Sequence, residues 1–294
     1  MLAAFARWSW VADLAASFRV HIVATASLAL AVFVLRRRWR WVPIAGLAVA
    51  INIPAILASS AAARDDSARQ AVAVQPWRLG TANLWHRNRQ FAAAVRRLRA
   101  YDADALVLIE TSEPLRAALA ELLPRYRFRV DVGPPGPQGL VVLSRWPLLA
   151  TRLLTLEGGT PFGAAVTLQR NDSYLHVFAV HLTWPVAPKL ARERNAQLRL
   201  LAQLAARSPE PLLLVGDLNV TEFSPHFRDL LVMGRLTDHG AGRGWQPTWP
   251  ALLAAAGLRI DHVLGRGIQV ERWLRRRLPG ADHFAIIADL QVRT

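Results

Sequence analysis

The 294-residue chain contains no cysteine, and Lys189 is the single lysine among its 36 basic residues. The absence of cysteine excludes disulfide bonds, thiolate zinc sites and a cysteine nucleophile. Charged residues make up only 19% of the chain and hydrophobic residues 53%, a balance that excludes an intrinsically disordered protein. The length suits one large domain or two small ones and is sufficient to bury a substantial core.

Hydrophobic residues are concentrated in the first sixty positions. Two apolar runs, 20–35 and 42–58, flank the arginine-rich segment RRRWRW at 36–41. With their flanking residues, both runs reach about 20 residues, the length at which a helix crosses a bilayer. We therefore predict that residues 1–60 are a membrane anchor with two transmembrane helices, about 20–35 and 42–58, and that the lipid bilayer is a partner. Residues 1–19 have an amphipathic pattern, which predicts a position in the membrane interface.

The charge of the intervening segment predicts the orientation of this anchor. Its four arginines lie in a short loop between the two apolar runs, and such loops remain in the cytoplasm. Both ends of the hairpin would then lie on the opposite side, with the rest of the chain in the periplasm or outside the cell. An alternative is a signal peptide cleaved near Ala63, which would leave the following domain on the same side but release it.

The rest of the chain divides into a linker and one domain. Residues 61–75 are predicted to be the linker, because they are rich in alanine, serine, aspartate and arginine and have no periodic apolar face. Residues 76–294 form the predicted domain, with 28 basic and 18 acidic residues and therefore +10 of the total charge of +15. Strands are predicted at 77–84, 105–109, 128–132, 140–144, 148–156, 163–169, 175–181, 212–216, 259–264, 268–274 and 284–290. Helices are predicted at 89–101, 115–123, 190–206 and 225–232.

Consecutive strands in this domain indicate antiparallel pairing, and the interspersed helices indicate an α/β layered fold. Polar side chains with catalytic potential fall at the strand ends, where scaffolds usually carry function. A carboxylate beside a wholly apolar strand is also costly to bury unless it is paired or binds a metal. The candidates, in chain order, are Asn83, Glu110, His181, Asp217, Asn219, Asp261, Asp282 and His283.

Together with the segment GLVVLSRWP at 139–147, these motifs resemble the endonuclease/exonuclease/phosphatase superfamily, which includes DNase I-like nucleases, neutral sphingomyelinases and inositol phosphatases. The resemblance covers the whole of 76–294. It implies an α/β fold built as a two-sheet β-sandwich flanked by helices, the four-layer DNase I-like architecture, here preceded by the transmembrane helical hairpin. The hairpin and the segment QPTWP at 246–250 resemble a bacterial branch, which implies the bacterial inner membrane.

The resemblance also implies a metal and a substrate site. Glu110 would be the principal ligand of Mg²⁺, for which Mn²⁺ could substitute, and Asp282 would lie near the metal. Asn83 would hold the ligand shell or a phosphate oxygen. Arg145 is a candidate for substrate binding, with a structural role as the alternative.

Five further residues would carry the chemistry. Asp217 would orient or deprotonate the attacking water, and Asn219 would position Asp217 and the phosphate. His283 would contact the phosphate and be oriented by Asp261. His181 would donate to a phosphoryl oxygen in the transition state. The residues leave open whether Asp217 or His283 takes the proton.

Several neighbouring residues are weaker candidates. His86 and Arg87 follow Asn83 and could touch substrate, whereas Trp249 is expected in the core. Asp238 lies in a glycine-rich loop and is expected to be solvated. His262 must face away from Asp261 on an alternating strand and is expected to be structural.

The predicted function is therefore that of a membrane-anchored, Mg²⁺-dependent phosphoesterase that cleaves phosphodiesters or phosphomonoesters by in-line attack of water. Two substrate classes compete. An endonuclease or exonuclease acting on DNA or RNA would use the arginine excess, and a lipid head-group phosphoesterase would use the anchor. A non-catalytic membrane binding module is a further alternative. A calcineurin-like metallophosphatase is excluded, because its Gly-Asn-His-Asp motif is absent from the sequence.

Overall fold

The computed structural model describes residues 5–60 and 76–292. The predicted linker at 61–75 and the predicted cleavage position near Ala63 lie outside the described residues. The α-helices are α1 (Trp10–Ala16), α2 (Arg19–Leu35), α3 (Val42–Ser60), α4 (Phe91–Ala100), α5 (Glu113–Ala118), α6 (Pro188–Arg207) and α7 (Pro225–Gly234). Short 3-10 helices span Trp39–Trp41, Leu119–Leu122 and Ala251–Ala256.

The twelve strands among the described residues are β1 (Trp77–Asn83), β2 (Ala105–Ile109), β3 (Phe128–Val132), β4 (Leu140–Ser144), β5 (Leu148–Leu154), β6 (Gly163–Arg170), β7 (Ser173–His181), β8 (Leu212–Asp217), β9 (Thr237–Asp238), β10 (Asp261–Arg266), β11 (Ile268–Arg277) and β12 (Phe284–Val292). Each predicted strand is present within a few residues of its expected bounds. The two-residue strand β9 was not predicted, because it is too short to show an alternating pattern.

The strands form two six-stranded sheets with the orders β11-β12-β1-β2-β4-β3 and β5-β6-β7-β8-β10-β9. Most neighbours are antiparallel, but β1 pairs with β2 and β7 with β8 in parallel. The two parallel pairs place the carboxyl ends of four strands beside one another within their sheets. Candidate residues follow each of these strands, so the topology brings them together.

The sheets pack face to face, and helices cover both outer faces. On β7, Val177 and Ala179 belong to the core between the sheets, whereas Phe178 and Val180 belong to the core under α6 and α7. The side chains of a strand alternate between its two faces, and here both faces are buried. A third cluster packs α4 and α5 on the other sheet. The predicted four-layer DNase I-like architecture is confirmed.

Two apolar helices, α2 and α3, precede this domain and pack against each other as a hairpin. The helical segment Trp39–Ser59 is long and apolar enough to cross a membrane. Its mean hydropathy is 2.0, and only 11% of its apolar window is buried. Helix α2 has 17 residues and passes the same test only together with α1, from which it is bent by 67°.

The open end of the hairpin lies against the two-sheet domain. His21 Nε2, in the first turn of α2, is 2.8 Å from the carbonyl oxygen of Ala256. At the same end of the hairpin, Ala58 and Ser59 of α3 line a small pocket together with Phe227 on α7. The arginine-rich turn at 36–41 is at the closed end, as expected for a helical hairpin.

Candidate active site

Three predicted catalytic residues form one row across the second sheet. His181 on β7 is in register with Asp217 on β8, and Asp217 is in register with Asp261 on β10. His181 Nε2 lies 3.9 Å from Asp217 Oδ2. The strand register therefore sets the spacing of an imidazole and two carboxylates directly.

The first sheet contributes Asn83 and Glu110 from the ends of β1 and β2. Asn83 Nδ2 donates to Glu110 Oε1 at 3.0 Å and to Asp217 Oδ2 at 3.2 Å. This amide therefore joins the carboxylates of the two sheets. Because Asn83 is 1% exposed, its position is fixed by the sandwich core and by these two bonds.

His283, just before β12, completes the cluster. Its Nδ1 is 2.8 Å from Asp261 Oδ2, and its Nε2 is 3.8 Å from Asp217 Oδ2. Burial alone would lower the pKa of His283, but the charge and hydrogen bond of Asp261 outweigh it and raise the pKa to about 9. His283 is therefore an imidazolium at neutral pH.

The other two titrating groups of the row are shifted by burial. Burial and the neighbouring charge of Asp261 raise the pKa of Asp217 to about 7. Burial lowers the pKa of His181, which is therefore neutral at pH 7. The row thus combines a neutral imidazole, a carboxyl group that titrates near neutrality and, with His283, a fixed cation.

Two of the seven described non-glycine residues with positive φ belong to the cluster. Glu110 and Asn219 have φ values of 56° and 48°, in the left-handed region that non-glycine residues rarely adopt. Asn219 is held there by a bond from its amide nitrogen to Asp217 Oδ1 at 2.9 Å and from its side chain to the carbonyl oxygen of Leu182 at 2.8 Å. Strained residues of this kind cluster at functional sites, where surrounding bonds maintain them.

A glycine immediately before Asp217 is required by packing. Gly216 has a φ of 141°, and a Cβ built on it would lie 1.9 Å from the carbonyl oxygen of Val180. Strands β7 and β8 approach each other at this point more closely than any side chain permits. His181 and Asp217 are the next pair in register after Val180 and Gly216.

Glu110 has a partner that the sequence indicated only weakly. His86 Nδ1 is 2.6 Å from Glu110 Oε2, and the His86 amide nitrogen donates to the same oxygen at 3.2 Å. Burial would raise the pKa of Glu110, but the bonds from His86 and Asn83 outweigh it and lower the pKa. Glu110 is therefore an ionised carboxylate, and His86 is a residue of this site.

The segment QPTWP at 246–250 supports the opposite side of the cluster. Thr248 Oγ1 accepts hydrogen bonds from the amide nitrogens of Ile260 and Asp261, both at 3.1 Å. Trp249 Nε1 donates to Asp282 Oδ2 at 3.2 Å. Trp249 lines the cleft and is only half-buried, so its predicted core position is wrong.

The residues present fit a hard divalent cation. Asp282 Oδ1 is buried without a hydrogen-bond partner, and burial raises the pKa of Asp282. Asp282 lines the same cleft as Glu110, and the charge of Glu110 is one cause of this raised pKa. Among the described residues, Asp217, Asp261 and His283 also have ligand atoms within 4.8 Å of one another. Carboxylate oxygens are the ligands that Mg²⁺ and similar ions prefer.

Two further expectations from the sequence do not agree with the structure. Arg145 is not in the cleft. It follows β4, which is antiparallel to β2, so it lies near the start of β2, whereas Glu110 follows the end of β2. Arg145 pairs there with Asp102. Asp238 is not solvated but buried in an ion pair with Arg259, at 2.7 and 2.9 Å. By contrast, His262 faces away from the site, as expected, and bonds the carbonyl oxygen of Val220.

The cluster opens into a cleft of about 820 Å³. The predicted residues that line it are Glu110, His181, Asp217, Asn219, Asp282 and His283, with Asn83 and Asp261 buried behind them. One wall is formed by a segment that the prediction assigned to the membrane interface, because Trp10, Asp13 and Leu14 of α1 also line the cleft.

Fold and site together define a hydrolase of phosphoric esters. The sequence profile of the Endonuclease/Exonuclease/phosphatase family matches residues 80–283, and the chain belongs to this family. The chain is similar in structure to an endonuclease/exonuclease/phosphatase from Beutenbergia cavernae DSM 12333, with 23% identity and a TM-score of 0.62 over 75% of this chain and 72% of that one.

Two further structures share the fold. Sphingomyelinase C from Streptomyces griseocarneus has 18% identity and a TM-score of 0.55 over 74% of this chain and 99% of that one. TDP2 from D. rerio, complexed with a single-strand DNA product, has 16% identity and a TM-score of 0.61 over 74% and 99%. No curated protein matches the chain.

Proposed function

We propose that this protein is a membrane-anchored, Mg²⁺-dependent phosphoesterase that hydrolyses its substrate by in-line attack of water. The observation that carries the proposal is the register row of His181, Asp217 and Asp261, with His283 bonded to Asp261 at 2.8 Å. The row provides an acceptor for a proton and cationic or neutral donors for phosphoryl oxygens within one cleft. A non-catalytic binding module would not require this combination of groups.

The two shifted pKa values favour Asp217 as the general base. Its pKa of about 7 allows it to accept a proton from water near neutral pH, whereas His283, with a pKa of about 9, already carries one. In this scheme the water oxygen forms a bond to phosphorus and its proton passes to Asp217. The bond between phosphorus and the ester oxygen breaks, and the leaving oxygen takes the electron pair and then a proton from solvent. His283 and His181 donate to the phosphoryl oxygens as charge develops.

Glu110 and Asp282 are the residues we assign to the metal. Glu110 is ionised, and Asp282 Oδ1 is buried without a hydrogen-bond partner in the lining of the cleft, whereas Asp261, whose Oδ1 also lacks a partner, lies behind that lining. When bound, Mg²⁺ supplies positive charge that polarises the phosphoryl group. Asn83 contributes by holding Glu110 and Asp217 at a fixed separation.

The charge of the cleft favours a small or lipid phosphate ester over a nucleic acid. The charged residues that line it are Arg87, Arg194, His283, Asp13, Glu110, Glu193, Asp217 and Asp282. Five of the eight are acidic, and one of the three cations, Arg194, is paired with Asp13 at 2.5 Å. The excess of arginine therefore lies mostly elsewhere on the domain. Nuclease activity is the second candidate, favoured by the net charge and by the DNA-product complex of TDP2.

We further propose that α2 and α3 span the inner membrane of a bacterium and that the domain lies on the periplasmic side. The four arginines at the closed end of the hairpin support cytoplasmic placement of that end. An alkaline phosphatase reporter fused after Thr294 should be active, and a reporter that works only in the cytoplasm should be inactive. The reverse pattern would contradict this orientation.

The catalytic proposal is tested by a Mg²⁺-dependent hydrolysis screen of the full-length protein in detergent, against DNA, RNA, phospholipids and sugar phosphates. The full chain is used because α1 lines the cleft. Hydrolysis of at least one class, lost in Asp217→Ala and on chelation of Mg²⁺, is the expected result. The absence of hydrolysis of every class, or equal activity in Asp217→Ala, would exclude the enzyme as proposed.

A further inference from the structure

Helix α1 is held on the catalytic domain by buried polar contacts. The carboxylate of Asp13, 5% exposed, accepts hydrogen bonds from Arg194 on α6 at 2.5 Å and from Ser224 Oγ at 2.6 Å. Thr221 Oγ1 donates to Ser17 Oγ at 3.2 Å. Both carboxylate oxygens of Asp13 are thus satisfied, which is the condition under which a buried ion pair fixes geometry without an unpaired charge.

The same contacts connect α1 to the catalytic loop. Besides bonding Asp13, Arg194 donates from its other terminal nitrogen to the carbonyl oxygen of Asn219 at 2.9 Å. Thr221 and Ser224 belong to the segment that follows Asp217 and Asn219. Helix α1 is therefore in a defined position relative to the catalytic groups, although the membrane hairpin separates it from them in sequence.

The remaining surface of α1 makes the mouth of the cleft apolar. Trp10 and Leu14 are one helical turn apart, and Phe18 follows at the break between α1 and α2; all three line the cleft. Trp184 and Val186, from the loop after β7, line it as well. The exposed fractions of Leu14, Phe18, Trp184 and Val186 are 40, 41, 60 and 49%.

An exposed apolar cluster at the mouth of a catalytic cleft marks a surface for an apolar ligand. Because this cluster and the catalytic groups line one cleft, we expect a single ligand to contact both and to carry the phosphate that reacts. Helix α2, which has no buried residue, begins beside this cluster, so the mouth opens where the chain leaves the domain for the apolar hairpin.

We propose that Trp10, Leu14, Phe18, Trp184 and Val186 form a subsite that binds the hydrocarbon part of an amphipathic phosphate ester. The phosphate lies at Asp217 and His283, and the hydrocarbon extends along α1 toward the bilayer. The subsite rests on the proposed phosphoesterase function. Under this proposal, α1, which precedes the first apolar helix, takes a direct part in substrate selection.

The test uses synthetic alkyl p-nitrophenyl phosphodiesters with chains of one to eight carbons, as monomers, and the full-length protein in detergent with Mg²⁺. These esters share one leaving group and differ only in hydrocarbon. The value of kcat/KM is expected to rise with chain length by up to about fourfold per methylene group, the factor that full burial of one CH₂ provides.

The informative variant is Leu14→Gln, and its matched control is Val11→Gln. Both residues are exposed on α1, at 40 and 49%, but Val11 does not line the cleft. Leu14→Gln is expected to lower the octyl-to-methyl ratio of kcat/KM at least about fivefold, as loss of a side-chain contact with several methylenes requires. Val11→Gln is expected to retain the wild-type ratio. Trp184→Ser tests the opposite wall and serves if Leu14→Gln does not fold.

The outcomes separate the subsite from the enzyme. A ratio near one in the wild type, or an equal ratio in Leu14→Gln, Trp184→Ser and the wild type, overturns the subsite and leaves the phosphoesterase standing. An equal fall in Val11→Gln also overturns it, because partitioning into detergent would then explain the preference. If no ester is hydrolysed, the subsite is overturned, and the phosphoesterase is then decided by the hydrolysis screen described above. If Asp217→Ala is as active as the wild type, both proposals fail.

Discussion

Asp261 and His283 form a buried pair in which the carboxylate oxygen Oδ2 lies 2.8 Å from Nδ1 of the imidazole. Asp261 is the main reason that the pKa of His283 rises to about 9, and its charge also raises the pKa of Asp217. One carboxylate therefore sets the charge state of both groups that we assign to proton transfer and phosphoryl binding.

We predict that Asp261→Asn moves the whole pH profile of kcat/KM toward lower pH. Without the carboxylate charge, the pKa of His283 falls, so activity is lost earlier as pH rises. The pKa of Asp217 falls as well, so the acidic limb moves in the same direction. We expect each limb to shift by about one pH unit or more, with activity at pH 8 at least about twofold lower. A profile that loses height without moving would contradict this coupling.

Glu110→Gln should change the metal requirement rather than the pH profile. The amide keeps the shape of the side chain but removes the charge that we assign to the metal. The Mg²⁺ concentration for half-maximal activity is expected to rise roughly 10- to 100-fold. Glu121→Gln, at an exposed position, is the matched control and should leave it unchanged. If instead Asp261→Asn raises the requirement and Glu110→Gln does not, the metal belongs with Asp217, Asp261 and His283.

Gly216→Ala is expected to destabilise the fold by about 3 kcal/mol or more, or to prevent folding, because its Cβ would collide with the Val180 carbonyl oxygen. Thermal unfolding of the full-length protein in detergent measures the effect. Gly46→Ala is the control: a Cβ at Gly46, in α3, meets nothing within 4 Å. We expect that variant to change stability by less than about 1 kcal/mol. Equal melting of the two variants would show that the close approach of β7 and β8 is adjustable.

Arg145→Ala should leave catalysis intact. Its guanidinium group lies 5.6 Å from the ring centroid of Tyr126 and pairs with the exposed Asp102, away from the cleft. The expected result is kcat/KM within about twofold of the wild type and a loss of about 0.5–1 kcal/mol of stability. A loss of activity comparable to that of Asp217→Ala would show that Arg145 takes part in substrate binding.

The sequence predicted most of the catalytic cluster because the relevant residues end strands. His181, Asp217 and Asp261 each follow or begin an apolar run, and strand ends that share an edge bring such residues together. Arg145 also follows an apolar run, but β4 runs antiparallel to β2, and a single sequence does not indicate which edge an antiparallel strand ends on. Its position therefore depended on topology that no local pattern contains.

Local sequence patterns also did not predict the polar pairs between residues that are far apart in the chain. Asp238 resembles a solvated turn residue until Arg259 is placed against it. Asp13 lies in an amphipathic segment whose pattern fits a membrane interface, and its partner Arg194 is 181 positions away. The apolar face of α1 was visible in the sequence, but the surface that covers its polar face was not.

The docking of α1 has a consequence for the order of assembly. During synthesis α1 emerges first, and the helix that carries Arg194 emerges only after the hairpin and most of the first sheet have been made. Asp13 must remain without its partner throughout that interval. The α1 wall of the cleft can therefore form only after α6 has been made, from a segment whose neighbour in sequence already belongs to the apolar hairpin. Assembly of the substrate-binding wall would then be restricted to chains in which hairpin and domain have reached their final arrangement.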